Sequence, residues 1–208
     1  MTQPTSIQTQ IEDAIASHEA IPPDRKSMLF DFAKHISSAI RTDGIAKVNF
    51  ICTHNSRRSH LSHIWAHVAA NHFGISELKT YSGGTEATEC NPRTIQALQR
   101  AGFQVTVITE PPNPKYEISF AKGESSILVF SKVYHDTAAG NPNADYIAGM
   151  CCDDVDQRCP IVVGATTRIA LHYRDPKIAD GTVHEADTYD ERSQQIAQEM
   201  FYLMGQVK

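Results

Sequence analysis

Long apolar runs are missing from this chain of 208 residues: no stretch approaches the ~18 consecutive apolar residues of a membrane-spanning helix. The first seventeen residues are polar and hold no apolar core of the kind a secretory signal carries. Clustered basic charge is missing too. The 19 Lys and Arg leave a net charge of −5 and adjoin only at Arg57-Arg58, which argues against general nucleic-acid binding. There is no internal repeat and no low-complexity segment. Only five cysteines occur, at 52, 90, 151, 152 and 159. With no signal segment, the expected setting is the reducing cytoplasm, where paired thiols serve catalysis, redox exchange or metal binding rather than structure. What remains is an ordinary composition, 41% hydrophobic, sufficient for one domain of usual size with an attachment.

One passage carries chemistry: Cys52-Thr53-His54-Asn55-Ser56-Arg57-Arg58-Ser59. Residues 47–51 before it alternate and are rich in β-formers, as in a buried strand. Residues 60–73 after it place Leu61, Ile64, Trp65 and Val68 at helical spacing. A strand, a polar loop and a helix start make an anion cradle, since successive N–H groups point inward and the helix N-terminus adds partial positive charge. Thr53, His54, Asn55, Ser56, Arg57 and Arg58 would line it. A free thiol ionises near ~8.5, and a helix N-terminus beside a guanidinium favours the thiolate, so Cys52 is the expected nucleophile. Arg58 offers a planar fork for two oxygens of a tetrahedral oxyanion. Ser59 can donate its hydroxyl to the sulfur. The bare spacing also arises by chance; its place between strand and helix makes it a site.

The loop resembles the C-x-G-N-x-x-R-S loop of the low-molecular-weight protein tyrosine phosphatases and their relatives, the thioredoxin-coupled arsenate reductases. It matches at Cys52, Asn55, Arg58 and Ser59 and departs at His54, where the family has a glycine in a conformation most residues avoid. Tyr81-Ser82-Gly83-Gly84-Thr85, after Leu78, is similar to the family's second strand and turn. Asn91-Pro92 opening a helix over 93–100, closed by Gly102, matches as well. The resemblance runs from about residue 47 to the C-terminus. It implies an α/β three-layer sandwich, a four-stranded parallel sheet of order 2-1-3-4 flanked by helices, with the cradle at its C-terminal edge. His172-Tyr173-Arg174-Asp175-Pro176, after an alternating run at 167–171, resembles the family's Asp-Pro loop, although Asp-Pro is also a common loop dipeptide. Asp175 is therefore the expected general acid and base.

Cys152 and Cys159, seven residues apart with Pro160 following, resemble the arsenate reductase signature, which ordinary phosphatases do without. The resemblance implies a relay. Cys52 forms a covalent adduct with arsenate, Cys152 attacks Cys52 and releases arsenite, Cys159 moves the disulfide to Cys152–Cys159, and thioredoxin reduces it. No bound cofactor and no metal are implied. Asp153, Asp154 and Asp156 suit a surface segment that rearranges. The residues alone leave alternatives: Cys151 adjoins Cys152 and can replace it, and the pair can be buried small hydrophobes beside Ile147 and Met150. Cys90 reads as an incidental thiol at a helix entry. The alternative activity is phosphate monoester hydrolysis through a Cys52 phosphocysteine and Asp175, because arsenate and phosphate are both tetrahedral. A non-catalytic oxyanion or redox sensor, its cradle spoiled by His54, is a third reading. His60, His63 and His67 share a helix face, but no carboxylate or cysteine joins them at metal-site spacing, so they read as a solvated face. Some reductases of this type have Glu at the place of His63 and use it to bind potassium, a ligand this chain lacks.

Residues 1–44 lie outside the resemblance and read as an N-terminal helical extension to a catalytic domain at 45–208. Ile7, Ile11, Ala14 and Ile15 form one stripe; Met28, Leu29, Phe32, Ile36 and Ile40 form another. Pro22-Pro23 separates them and Asp43-Gly44 ends the second. Such a hairpin needs a cover, either the catalytic domain or a second copy in a homodimer. Downstream, the apolar run 126–130 reads as a central parallel strand, 136–150 as a long loop, and 191–204 as a closing amphipathic helix.

Overall fold

Strand β1 (Ala46–Cys52) is buried along nearly its whole length, with Val48, Phe50 and Ile51 fully enclosed, as a central parallel strand must be. The computed structural model describes residues 6–120, 126–152 and 161–208. After β1 come α3 (Arg58–His72), β2 (Leu78–Gly84) and α4 (Pro92–Arg100). A small antiparallel sheet follows, made of β3 (Gln104–Val107), β4 (Tyr116–Ser119) and β5 (Ile127–Val129). Strands β6 (Tyr146–Met150) and β7 (Ala165–Ala170) complete the parallel sheet, and α5 (Glu185–Met204) closes the fold. The parallel sheet runs β2-β1-β6-β7. Among its own four strands this is the expected 2-1-3-4; in whole-chain numbering it differs because the antiparallel sheet intervenes.

Two elements correct the sequence reading. The run at 126–130 is not a central parallel strand: β5 pairs antiparallel at the edge of the small sheet, with Ile127 and Val129 buried and Leu128 50% exposed. Four apolar residues in a row, 127–130, concealed a two-residue period with a single outward Leu in the strand. The stretch 136–150 is not all loop, since β6 occupies 146–150 and every residue of it is buried. The turn signals at Gly140, Asn141 and Pro142 end before it begins.

The extension is built as read. Ser6 caps α1 (Ile7–Ala16), accepting the Thr9 N–H at 3.2 Å, and Pro23 starts α2 (Pro23–Asp43). Gly44, at φ 72, ends it in the left-handed conformation. Both stripes turn onto the chain's own body: Ile11, Leu29, Phe32 and Ile36 join one buried cluster with Val48 and Phe50 of β1 and Met200 and Phe201 of α5. Helix α5 also packs along α3, where the Trp65 indole N–H donates to the Ser193 hydroxyl at 2.9 Å. No helix among the described residues is long and apolar enough to cross a membrane.

Because Phe32 is fully enclosed, Phe32→Ala is expected to cost about 3–5 kcal/mol of stability. The shift in urea midpoint measures it. A loss below about 1 kcal/mol would mean that the extension is peripheral to the core.

Candidate active site

The site forms where the carboxyl ends of the parallel strands meet. Cys52, the last residue of β1, lies opposite Gly84 of β2, and Ile51 lies opposite Met150 of β6. The chain leaves β1 between strands that diverge to either side, the crevice where open α/β sheets bind ligands. Residues 53–57 then turn and enter α3, whose first N–H groups have no partner within the helix. A small cavity is lined by Cys52, Thr53, His54, Ser56, Arg57, Arg58 and Asp175.

The loop's shape rests on Asn55, fully buried with φ 46. Its Oδ1 accepts the Lys132 backbone N–H at 3.0 Å, which fixes the amide orientation. The Nδ2 group therefore faces Ser59 and donates to its hydroxyl at 2.9 Å. With one lone pair used there, the Ser59 hydroxyl is free to give its proton to a Cys52 thiolate, 3.0 Å away. The arrangement thus presents a buried sulfur with a donor aimed at it.

The departure at His54 does not put a histidine in the left-handed position. The left-handed position is Asn55, a residue type that tolerates it, and His54 is not among the positive-φ residues. The His54 carbonyl is held by the Ser131 hydroxyl at 2.8 Å, and its ring faces outward, 3.8 Å from Glu86. Gly84 makes room for the loop, since a Cβ there would come within 2.7 Å of both the Asn55 nitrogen and the Thr53 carbonyl. Ser56 ties the loop to α4: its carbonyl accepts the N–H of Asn91, the residue whose side chain caps that helix.

Arg58 is oriented by the segment after β7. Its Nη1 donates to the Tyr173 carbonyl at 2.9 Å and its Nη2 to Asp175 Oδ2 at 2.8 Å. The other Asp175 oxygen accepts the Lys177 N–H at 3.1 Å. Asp175, Arg58 and Cys52 therefore line one cavity. Arg57, also on the lining, donates from Nε to the Tyr189 hydroxyl at 2.9 Å and holds Nη1 3.9 Å from Asp175.

Cys151 and Cys152 leave β6 beside Cys52, and both are buried. Successive residues face opposite ways. The Cys151 sulfur points to Ser62 of α3 at 3.5 Å, and burial together with neighbouring Cys52 pushes its pKa up. The Cys152 sulfur lies 3.7 Å from the Thr53 hydroxyl, on the cradle side. Cys159 lies outside the described residues. Cys90 is fully buried at the α4 entry, and burial raises its pKa.

Two of the three histidines on that face are not solvated, while His67 is half-buried. His60 and His63 are buried, His60 with its Nδ1 3.2 Å from the Ser82 hydroxyl. Burial, helped by the Lys132 ammonium, pushes the His60 pKa down to about 3 and lowers that of His63 as well. Histidines sharing one face of α3 suggested an exposed side, but β2, through Thr80 and Ser82, and Lys132 lie against His60 and His63. His63 offers no carboxylate for a potassium ion, and the Lys132 ammonium brings positive charge to the spot.

Comparison with known proteins agrees with this geometry. Residues 47–116 match the family model described as low molecular weight phosphotyrosine protein phosphatase. The arsenate reductase of Bacillus licheniformis is 28% identical over 145 residues, spanning 70% of this chain and 84% of that protein. Arsenate reductase 2 of Staphylococcus epidermidis is 26% identical over 129 residues, 62% of this chain and 77% of that protein. Among solved structures, a low-molecular-weight protein tyrosine phosphatase from Bacillus subtilis superposes with a TM-score of 0.51 at 14% identity, covering 77% of this chain and 95% of that one. The phosphotyrosine phosphatase from Vibrio cholerae gives 0.50 at 14%, again over 77% and 95%. The fold is that of the low-molecular-weight phosphatases.

Within this low-molecular-weight phosphatase fold, the sequence reading missed Ser131 and Lys132, which hold the cradle from behind. They follow the run misread as a central strand, so no motif drew attention to them. It also passed over Tyr173, two residues before the expected acid. An alternating run ending in a polar Asp-Pro loop signals a strand end, and a buried aromatic there was the available clue.

His60 generates a pH prediction. Between 6.5 and about 3 the unfolded chain takes up a proton that folded His60 refuses, so stability falls as pH drops through that window. Urea midpoints at pH 7 and pH 5 should diverge in the parent protein and diverge less in His60→Gln. An equal drop in both would remove His60 as a source of acid sensitivity.

Proposed function

We propose that this chain is a cytoplasmic arsenate reductase that uses a thiol relay and thioredoxin as its electron donor. The observation that carries this reading is the Cys152 thiol against Thr53 of the cradle. Phosphate ester hydrolysis has no use for a second thiol there. The similarity to proteins named arsenate reductase supports it.

In this mechanism the cradle N–H groups and Arg58 hold the oxyanion. The Cys52 thiolate, stabilised by Ser59, bonds to arsenic while one oxygen departs as water, Asp175 supplying a proton. Cys152 then attacks the Cys52 sulfur. The sulfur–arsenic bond breaks with its electron pair left on arsenic, so As(V) leaves as arsenite and the two thiols become a disulfide. Cys159 attacks Cys152 and frees Cys52, and the dithiol of thioredoxin reduces the resulting Cys152–Cys159 bond. Cys152, against Thr53, suits this role better than Cys151, whose thiol lies against Ser62 with its pKa pushed up by burial and by neighbouring Cys52. A second reading, phosphate monoester hydrolysis through a Cys52 phosphocysteine, is favoured by the Asp175 carboxyl at the cavity.

Arsenate added with thioredoxin, thioredoxin reductase and NADPH should drive NADPH oxidation. The signal should vanish in Cys52→Ser, Cys152→Ser and Cys159→Ser and largely persist in Cys151→Ser. Hydrolysis of p-nitrophenyl phosphate that survives Cys152→Ser, with no arsenate-dependent oxidation in the parent protein, would replace the reductase reading with the phosphatase.

A further inference from the structure

The cradle arginine takes one of its two bonds from a backbone carbonyl, that of Tyr173, and this residue is pinned from three directions. Its ring is buried, and its N–H donates to the Cys151 carbonyl at 3.0 Å. Its hydroxyl donates to Glu199 Oε2 at 2.8 Å, and burial beside that carboxylate raises its pKa well above the usual value, keeping it a donor. The third hold comes from the N-terminal extension. Arg25 of α2 donates to the same Glu199 oxygen from Nε at 3.0 Å and from Nη2 at 2.6 Å, and its guanidinium stacks 5.0 Å from the centre of the Tyr173 ring. Glu199 is only 3% exposed, and its Oε1 is held by Gln195 at 3.1 Å.

We propose that Arg25 is a positioning residue for the active site: through Glu199 and the Tyr173 ring it fixes the carbonyl that orients Arg58. This rests on the reading of the loop as an oxyanion cradle. The chain of contacts is continuous. Arg25 sets Glu199, Glu199 and the cation–π stack set Tyr173, and the Tyr173 carbonyl sets Arg58 two residues from where Asp175 meets the same guanidinium. A buried carboxylate without Arg25 would draw the Tyr173 hydroxyl or water into other geometries. The extension thereby contributes to the site without touching it.

Calorimetric binding of inorganic phosphate to this whole chain, beside urea midpoints, tests this. Arg25→Met is expected to weaken phosphate binding roughly fivefold. Arg25→Met/Glu199→Met removes the buried ion pair altogether, so its urea midpoint should recover while its phosphate affinity stays low. Tyr173→Phe, which loses only the hydroxyl, should weaken binding similarly. Parent-like affinity in Arg25→Met and Tyr173→Phe, or affinity that recovers together with stability in the double variant, would overturn the proposal. A parent protein that binds no phosphate would remove the cradle reading and this inference with it. Phosphate binding without arsenate turnover would remove only the reductase reading.

Discussion

A single side-chain amide sets the geometry of the cradle. Asn55 sits in a left-handed conformation with its oxygen on the Lys132 N–H and its nitrogen on the Ser59 hydroxyl. Reversing the amide would set a donor against a donor at Lys132, so one orientation is enforced. From it follow the position of the Ser59 hydroxyl, the environment of the Cys52 sulfur and the path of the loop into α3. The turn at Gly84 and the segment at Ser131 and Lys132 close around the same point. The segment behind the loop is thus as necessary to the cradle as the loop itself.

The sheet supplies the second constraint. Parallel strands deliver their ends to one edge, so Cys52, the Cys151-Cys152 pair and the segment carrying Tyr173 and Asp175 converge although they are far apart in sequence. The alternation of a strand then separates the two adjacent thiols. One lies against Ser62 of α3 and the other against Thr53 of the loop. The electrostatics match this division: positive groups gather at the cradle, while His60 stays neutral behind it. Lys132, pushed down to about 8 by burial, shares that rear space.

Local patterns made much of this legible. A strand, a polar loop and a helix start around Cys52 are adjacent in sequence, as are the two N-terminal stripes and their Pro and Gly boundaries, and all appear where their periodicity puts them. The expected sheet order appears once the four parallel strands are counted by themselves. What could not be read depends on distant partners. The run ending at Phe130 has the composition of a buried strand, and only its antiparallel neighbour β4 decides that it is an edge. His60 and His63 look solvated by type, and only the cover contributed by another part of the chain buries them. The positive φ fell on Asn55 instead of the position where the family has glycine, because the two hydrogen bonds of the Asn55 side chain stabilise it there. The link from Arg25 to the site joins residues more than a hundred positions apart and leaves no local trace.

The most direct measurement of the central claim is peptide mass mapping of Cys159→Ser protein after incubation with arsenate under anaerobic conditions. Without its last thiol the relay should stop at its first disulfide, joining the peptides that contain Cys52 and Cys152, and arsenite should appear in equal amount. A Cys52–Cys151 link, or no disulfide that depends on arsenate, would contradict the account.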